Sequence, residues 1–345
     1  MKAGVLHARE NLVYEEVELP APGPKDVLVK VKYTGICGSD IPRVNGNAAH
    51  NYPIILGHEF SGEVVEIGEK VESLQVGDRV AGAPLIPCME CEQCKNGDYA
   101  LCETYSFIGS RRSGSFAEYI VIPEENGIRF DSSISYKKGA FFEPITVALH
   151  GINRLDFQAG SSVAILGAGN IGFFALQWLK ILGARHITVF DISEERLELA
   201  KRFGADECIN SSQENFLDLL TEKHFDYVYE TAGNTVTIKL TFELVKKKGK
   251  VCLIGTPTRE LTFSIDEWEN INRKEFSLTG SWMSYSEDFP GEEWKKASQY
   301  IESGDIQIDD SLVYKIVPLS EIAEAFKMYK TPGTVKGKIL IDSEK

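Results

Sequence analysis

Gly167, Gly169 and Gly172, in Gly167-Ala168-Gly169-Asn170-Ile171-Gly172, limit what this chain can fold into. They close the short apolar run Ser162–Gly167 and open Ile171–Leu182, where apolar residues recur at helical spacing. A strand turning directly into a helix needs the first glycine for the turn and the third for close helix–strand packing. The second lets a pyrophosphate approach the backbone, with Asn170 and Ile171 beside the helix N-terminus, whose amides and dipole favour phosphate. Asp191 ends the next predicted strand, His186–Asp191, nineteen residues beyond Gly172. Its carboxylate suits the ribose hydroxyls of NAD and would repel the extra phosphate of NADP. Arg196 either flanks that ribose or pairs with Glu195 or Glu198 on a helix surface. A tight connection that binds nothing would also need these glycines, but it would not need the matched aspartate.

Four of the seven cysteines, Cys88, Cys91, Cys94 and Cys102, crowd into one short lobe as C-x2-C-x2-C-x7-C. Four soft thiolates on a short loop suit a closed, tetrahedral structural Zn²⁺. An iron–sulfur cluster of the bacterial type would place its fourth cysteine three residues on, followed by proline; here Glu103 follows. Disulfides fit poorly with an odd cysteine total and no secretory features, and a thioredoxin-like pair leaves two donors unexplained. Cys208 and Cys252 lie in apolar surroundings and read as packing thiols.

With 345 residues the chain has room for two domains, each with its own core. Its formal charge of −14 argues against nucleic acid or an anionic membrane as partner. Phe157–Leu179 has no charged residue, yet Gly160, Gly167, Gly169 and Gly172 break it into strand, turn and helix start rather than a membrane span. The start MKAGVLHARE has no apolar signal core. The expectation is a soluble, cytoplasmic protein with reduced thiols.

The first half alternates with period two between Gly/Pro turns, as in Val27–Tyr33, Gly62–Ile67 and Phe116–Ile122, predicting a β-rich, partly barrel-like domain. From about Ser161 the rhythm becomes strand–helix–strand, with Ser193 expected to cap a helix over Glu194–Phe203 and strands at Phe225–Glu230 and Val251–Gly255. A helix over Glu292–Glu302 and strands at Leu312–Val317 and Lys338–Ile341 complete the chain. Thr231, Gly255 and Ser281 follow strands of the second region and are expected to line its cofactor site.

Cys37 in Cys37-Gly38-Ser39-Asp40 and His58 in Gly57-His58-Glu59 are metal-ligand types. Glu143, set between phenylalanines and Pro144, is costly to bury unless it meets a cation. Three protein ligands leave zinc an open fourth position, the arrangement of a catalytic site. Singly, each has a plainer reading: a packing thiol, a core imidazole, a helix-start carboxylate. Spacing alone does not join them.

With the Gly57-His58-Glu59 region, Val76-Gly77-Asp78-Arg79-Val80, the cysteine lobe, the glycine turn and Gly337-Lys338, the chain resembles the zinc-containing medium-chain alcohol/polyol dehydrogenases along essentially its whole length. The resemblance implies an α/β protein. A GroES-like catalytic domain would span 1–150 and 286–345, with its zinc lobe at 86–104, around a Rossmann domain at 151–285. It implies catalytic zinc on Cys37, His58 and Glu143, with Glu59 beside the metal, structural zinc on the four cysteines, and NAD as oxidant. Many members carry a histidine relay where this chain has Pro42, leaving Ser39 to pass the proton. Ser39-Asp40-Ile41-Pro42-Arg43 and Phe107-Ile108-Gly109-Ser110-Arg111-Arg112 point to the branch acting on a sugar-alcohol phosphate, with Arg43, Arg111 and Arg112 as phosphate partners. The alternatives are an unphosphorylated secondary alcohol, such as sorbitol, xylitol, threonine or 2,3-butanediol, and a non-catalytic NAD-binding regulator or structural recruit. Relatives form dimers and tetramers, and Val251–Ile254 and Ser277–Trp282 are expected near the pairing edge of the sheet.

Overall fold

The computed structural model describes residues 1–213, 216, 220, 223–257, 259–331 and 333–345. The chain divides into two units, Met1–Glu143 with Tyr285–Gly304 and Ile308–Lys345, and Pro144–Ser284 with Asp305–Gln307. The last three residues join the second unit through Gln177, whose amide accepts from Gln307 N at 2.7 Å and donates to Gln307 O at 3.2 Å.

The first unit is built around the ten-residue strand Asp26–Gly35. Val27, Val29 and Val31 point to one face and are fully buried, packing with Phe60, Val64, Val80 and Ile120. One edge of the strand pairs along its length with Glu59–Ile67. The other edge is shared: Asp26–Lys30 pair with Tyr119–Pro123, and Tyr33–Gly35 with the C-terminal strand Lys338–Asp342. The tail therefore completes the sheet that holds His58 and Glu59. A second core lies between Val5, Leu6, Phe116, Phe326, Ile339 and Ile341.

The second unit carries a six-stranded sheet whose pairings are all parallel. Its spatial order is Glu207–Asn210, His186–Asp191, Ser162–Leu166, Phe225–Glu230, Val245–Leu253, Ser277–Gly280. The order reverses between Ser162–Leu166 and Phe225–Glu230, and ligands of such sheets bind beyond the strand C-termini at that point. Both neighbouring turns, at Gly167 and Thr231, lie there. Ser277–Gly280 is one edge of this sheet and the strand carrying Val251 is its neighbour, so both segments lie near that edge. Helix Asn170–Ile181 buries Phe173, Phe174, Leu176, Trp178 and Leu179, and the Trp178 indole N–H donates to Ile145 O at 3.1 Å. Among the described residues no helix is long and apolar enough to cross a membrane.

Candidate active site and metal centres

Cys37 leaves the end of the strand Asp26–Gly35, and His58 immediately precedes Glu59–Ile67, the strand paired with it. Strand pairing thus brings together residues twenty-one positions apart in the chain. Ligand atoms of Cys37, His58 and Glu59 all lie within 4.8 Å of one another. A thiol, an imidazole and a carboxylate so close together are a donor set that suits zinc. The carboxylate grouped with them is Glu59, and Glu143, the expected third ligand, lies near enough to feel the charges of His58 and Glu59. Glu143, the last residue of the first unit before the chain enters the second, lies in the first turn of the helix Phe142–Asn153. Burial, with the charges of Glu59 and Asp40, pushes its carboxyl up to about 7 against the pull of His58 and Lys338.

Two residues absent from the sequence reading of the site take part in it. Asp40 is completely buried: its Oδ2 accepts from Cys37 N at 3.1 Å, and its Oδ1 lies 3.5 Å from His58 Nδ1 and accepts from Arg43 at 3.3 Å. Burial alone would raise its pKa, but His58 and Arg43 overcome that and hold it below the usual carboxylate value. The imidazole feels the reverse: burial opposes its protonation, and Asp40 and Cys37 outweigh this to raise its pKa well above the ordinary value. A carboxylate against a ligand histidine fixes ring orientation and raises its basicity. The signal was available, since Asp40 stands three residues after Cys37 in a cysteine–glycine–serine–aspartate turn. Lys338 is the other; it enters from the C-terminal strand, donates to Ile36 O at 3.3 Å and forms a buried ion pair with Glu59. No local pattern could have linked it to Glu59.

Ser39 is exposed beside this centre, and its Oγ accepts from Arg43 Nη1 at 2.9 Å. Arg43 lies on the short helix Ile41–Asn45, which has Pro42 in its first turn. Arg111 is exposed and stacks on Tyr105 with its guanidinium carbon 4.2 Å from the ring centroid, while Arg112 is half-buried.

The four lobe cysteines offer sulfurs within 4.8 Å of one another. Cys91 caps the helix Glu92–Lys95, and the turn before it places Met89 at φ 61°. The amides of Glu90 and Cys91 donate to Cys88 Sγ at 3.4 and 3.3 Å and lower its thiol pKa to about 6. Burial and neighbouring sulfurs push Cys94 up to about 12. Four thiols this close cannot all ionise without a cation, so the set fits structural zinc. Of the remaining thiols Cys252 is buried, whereas Cys208 is half-buried and donates to Leu197 O at 3.3 Å.

In the second unit Gly167 has φ +103°, and a Cβ at Gly172 would stand 2.0 Å from Gly167 O. A Cβ at Gly169 would meet nothing, so this glycine leaves open space at the helix N-terminus where a pyrophosphate fits. Asn170 and Ile171 form the first turn. Asp191 Oδ2 accepts from Ala168 N at 2.7 Å and Oδ1 from Ser193 N at 2.9 Å. Ser193 is the N-cap of Glu194–Arg202, but its side chain makes no capping bond. Arg196 lies on that helix. Thr231 Oγ1 donates to Leu166 O and Gly167 O at 3.1 and 3.0 Å. Gly255 packs so closely on Gly233 that a Cβ would meet its amide at 2.0 Å. Ser281 N donates to Leu253 O at 3.0 Å, and its buried Oγ has no hydrogen-bond partner among the described residues.

A parallel sheet with a dinucleotide turn, a cysteine lobe and a Cys/His/carboxylate centre define an oxidoreductase that uses zinc and a nicotinamide dinucleotide. Residues 23–132 match the alcohol dehydrogenase GroES-like domain and residues 170–301 the zinc-binding dehydrogenase family. The chain belongs to the zinc-binding alcohol dehydrogenases. It is 41% identical over 294 residues to galactitol 1-phosphate 5-dehydrogenase of Escherichia coli strain K12, covering 84% of this chain and 85% of that protein. The crystal structure of galactitol-1-phosphate dehydrogenase from Escherichia coli matches with a TM-score of 0.91 at 37% identity, over 99% of this chain and 100% of that one. Sorbitol dehydrogenase of Bacillus subtilis strain 168 is 35% identical over 268 residues, 75% of this chain and 76% of that protein.

Proposed function

We propose that this enzyme reversibly oxidises a secondary hydroxyl of a sugar-alcohol phosphate with NAD, converting galactitol 1-phosphate to tagatose 6-phosphate. The observation that carries this reading is the 41% identity to galactitol 1-phosphate 5-dehydrogenase, joined to the retained Cys37–His58 centre. Arg111 and Arg112 supply guanidinium groups whose forks match phosphate oxygens. The choice of NAD rests on Asp191, whose carboxylate would repel the additional phosphate of NADP.

Cys37, His58 and Glu143 would hold the catalytic zinc. Glu59 is already compensated by Lys338, which favours Glu143 as the carboxylate ligand. Zinc held there would supply Lewis acidity toward the alcohol oxygen, and NAD seated at the glycine turn would supply the hydride acceptor. Asp40 holds His58 in orientation. Ser39 Oγ takes up the substrate's hydroxyl proton while its own hydrogen passes to water. Gly167, Gly169 and Gly172 seat the pyrophosphate, and Thr231 braces that turn.

NADH absorbance followed with a panel of polyols and their phosphates tests the assignment. Turnover of galactitol 1-phosphate, with galactitol itself poor, is the expected result. A preference for sorbitol, xylitol, threonine or 2,3-butanediol would move the substrate within the family, and no turnover of any alcohol would favour a regulator. Arg112→Ala should raise KM for the phosphate at least about tenfold and leave an unphosphorylated polyol unchanged.

We further infer a cytoplasmic homo-oligomer, dimer or tetramer, paired through the edge strand Ser277–Gly280. Leu278 and Trp282 are exposed there, at 39% and 54%. Sedimentation of the purified enzyme, and of Leu278→Lys, tests the assembly.

A further inference from the structure

The Arg43 head group spans two functional side chains. Its Nη1 donates to Ser39 Oγ at 2.9 Å and to Asp40 Oδ1 at 3.3 Å, and Asp40 Oδ1 lies 3.5 Å from His58 Nδ1. Ser39 and Asp40 stand four and three residues before Arg43, in the turn that leads into its short helix, with Asp40 as the N-cap. The side chain is only 16% exposed, so the guanidinium is held rather than solvated.

We propose that Arg43 is a positioning residue that ties the relay hydroxyl of Ser39 to the carboxylate behind His58, rather than a ligand of the substrate's phosphate. The kinetic part rests on the dehydrogenase reading above; the metal part does not. A terminal guanidinium nitrogen has two hydrogens, enough for both acceptors. With Arg43 donating into Ser39 Oγ, that oxygen cannot donate back. Its own hydrogen must point to another acceptor, and one lone pair stays available for the incoming proton. The hydroxyl is therefore ordered for the oxidation direction: substrate O–H to Ser39 Oγ and Ser39 hydrogen to water, with the same path run backwards in the reduction. Pro42, next to Arg43, offers no group that could do this.

Asp40 gains equally. A fully buried carboxylate is costly unless its charge is met, and Cys37 N and His58 alone leave much of it uncompensated. Arg43 shares Oδ1 with His58, keeping the carboxylate in place as the orienting partner of the imidazole. Removal of such outer partners typically weakens metal retention about 10- to 100-fold.

The test uses the full-length, zinc-loaded enzyme with Arg43→Met and Arg43→Lys. Zinc release to a chromogenic chelator is followed, with the slow phase from the four-cysteine lobe as an internal fold control. Steady-state kcat and KM are measured on the best alcohol found. For Arg43→Met the catalytic zinc should leave at least about tenfold faster, the lobe zinc at the wild-type rate. kcat should fall at least about tenfold with KM changed less than about threefold, on phosphorylated and plain polyols alike. Arg43→Lys keeps the charge and a single nitrogen with donors enough for both acceptors, so zinc retention and kcat should both recover relative to Arg43→Met. Wild-type zinc release in Arg43→Met, no recovery of either quantity in Arg43→Lys, or a rise in KM confined to phosphorylated substrate would each overturn the proposal. If the parent enzyme turns over no alcohol, the substrate reading fails, and the release experiment still decides the role of Arg43 at the metal.

Discussion

Lys338 and Glu59 form a buried ion pair across 279 positions of sequence, both side chains at most 5% exposed. The pair exists because Lys338–Asp342 closes against Gly35, which itself pairs with Glu59. Burial lowers the lysine's pKa by itself, but Glu59 and Cys37 overcome it and raise it above the ordinary value.

Lys338→Met should leave Glu59 charged and uncompensated, costing about 3–5 kcal/mol in denaturant unfolding. Adding Glu59→Gln should recover most of that loss, because removing both charges is close to neutral. Additive losses in the double variant would show that the two side chains are not energetically coupled.

Metal analysis of the purified enzyme should give about two zincs per chain, given one closed and one open site. Cys91→Ser should lose the lobe zinc and lower the unfolding midpoint, whereas Cys37→Ser should lose only the catalytic zinc and stay folded. Glu143→Ala and Glu59→Ala separate the two carboxylates: the proposed ligand is the one whose loss removes the metal. Retention of zinc in Glu143→Ala, with loss in Glu59→Ala, would reassign the third ligand.

The glycine turn offers a paired test. Gly169→Ala should fold normally, since its methyl meets nothing, yet bind NADH at least about tenfold more weakly by filling the phosphate's space. Gly172→Ala should lose stability outright, because its methyl would stand 2.0 Å from Gly167 O. Thermal melts with and without NADH, beside a fluorescence titration, distinguish the two. Equal NADH affinity in Gly169→Ala and wild type would argue against phosphate at that glycine.

Asp191 has two roles, toward Ala168 N and toward a ribose. Asp191→Ala should weaken NAD use by more than NADP use, narrowing the preference, and destabilise the turn by about 1–3 kcal/mol through the unpaired amide. Steady-state kinetics with both cofactors check the first effect, urea unfolding the second.

Glu230 ends its strand fully buried, with Oε1 accepting from Ala232 N, Gly233 N and Thr237 Oγ1 at 3.0, 2.9 and 2.7 Å. Its Oε2 has no hydrogen-bond partner among the described residues. Burial raises its pKa in spite of these donors. The folded state therefore binds this proton more tightly than the unfolded one. The resulting stability is complete below the ordinary carboxylate pKa and is lost as pH rises through the folded value, by up to about 1.4 kcal/mol per pH unit. Glu230→Gln should flatten that decline in unfolding experiments run upward in pH from the ordinary carboxylate range. An unchanged slope would assign the decline to other groups.

Local chemistry was legible in the chain. The glycines at 167, 169 and 172, the cysteines at 88, 91, 94 and 102, and the helix Glu292–Glu302 each declare themselves within a few turns of backbone. Period-two strands were visible too, although their ends ran a few residues further, as Asp26–Gly35 and Glu59–Ile67 show. Arg43 could be singled out from sequence, but its hold on Ser39 and Asp40 could not.

Spacing along the chain determined the short-range constructions: a turn fitted to phosphate, a thiolate lobe fitted to zinc, and the order of strands and helices. Beyond what the resemblance implied, tertiary structure decided which distant groups meet: Cys37 with His58 and Glu59, and Lys338 from the tail with Glu59. The physical reason is that local motifs are set by backbone geometry over a few residues, whereas these meetings depend on strand register. Register is chosen by the burial of whole sheet faces, and no single segment encodes it.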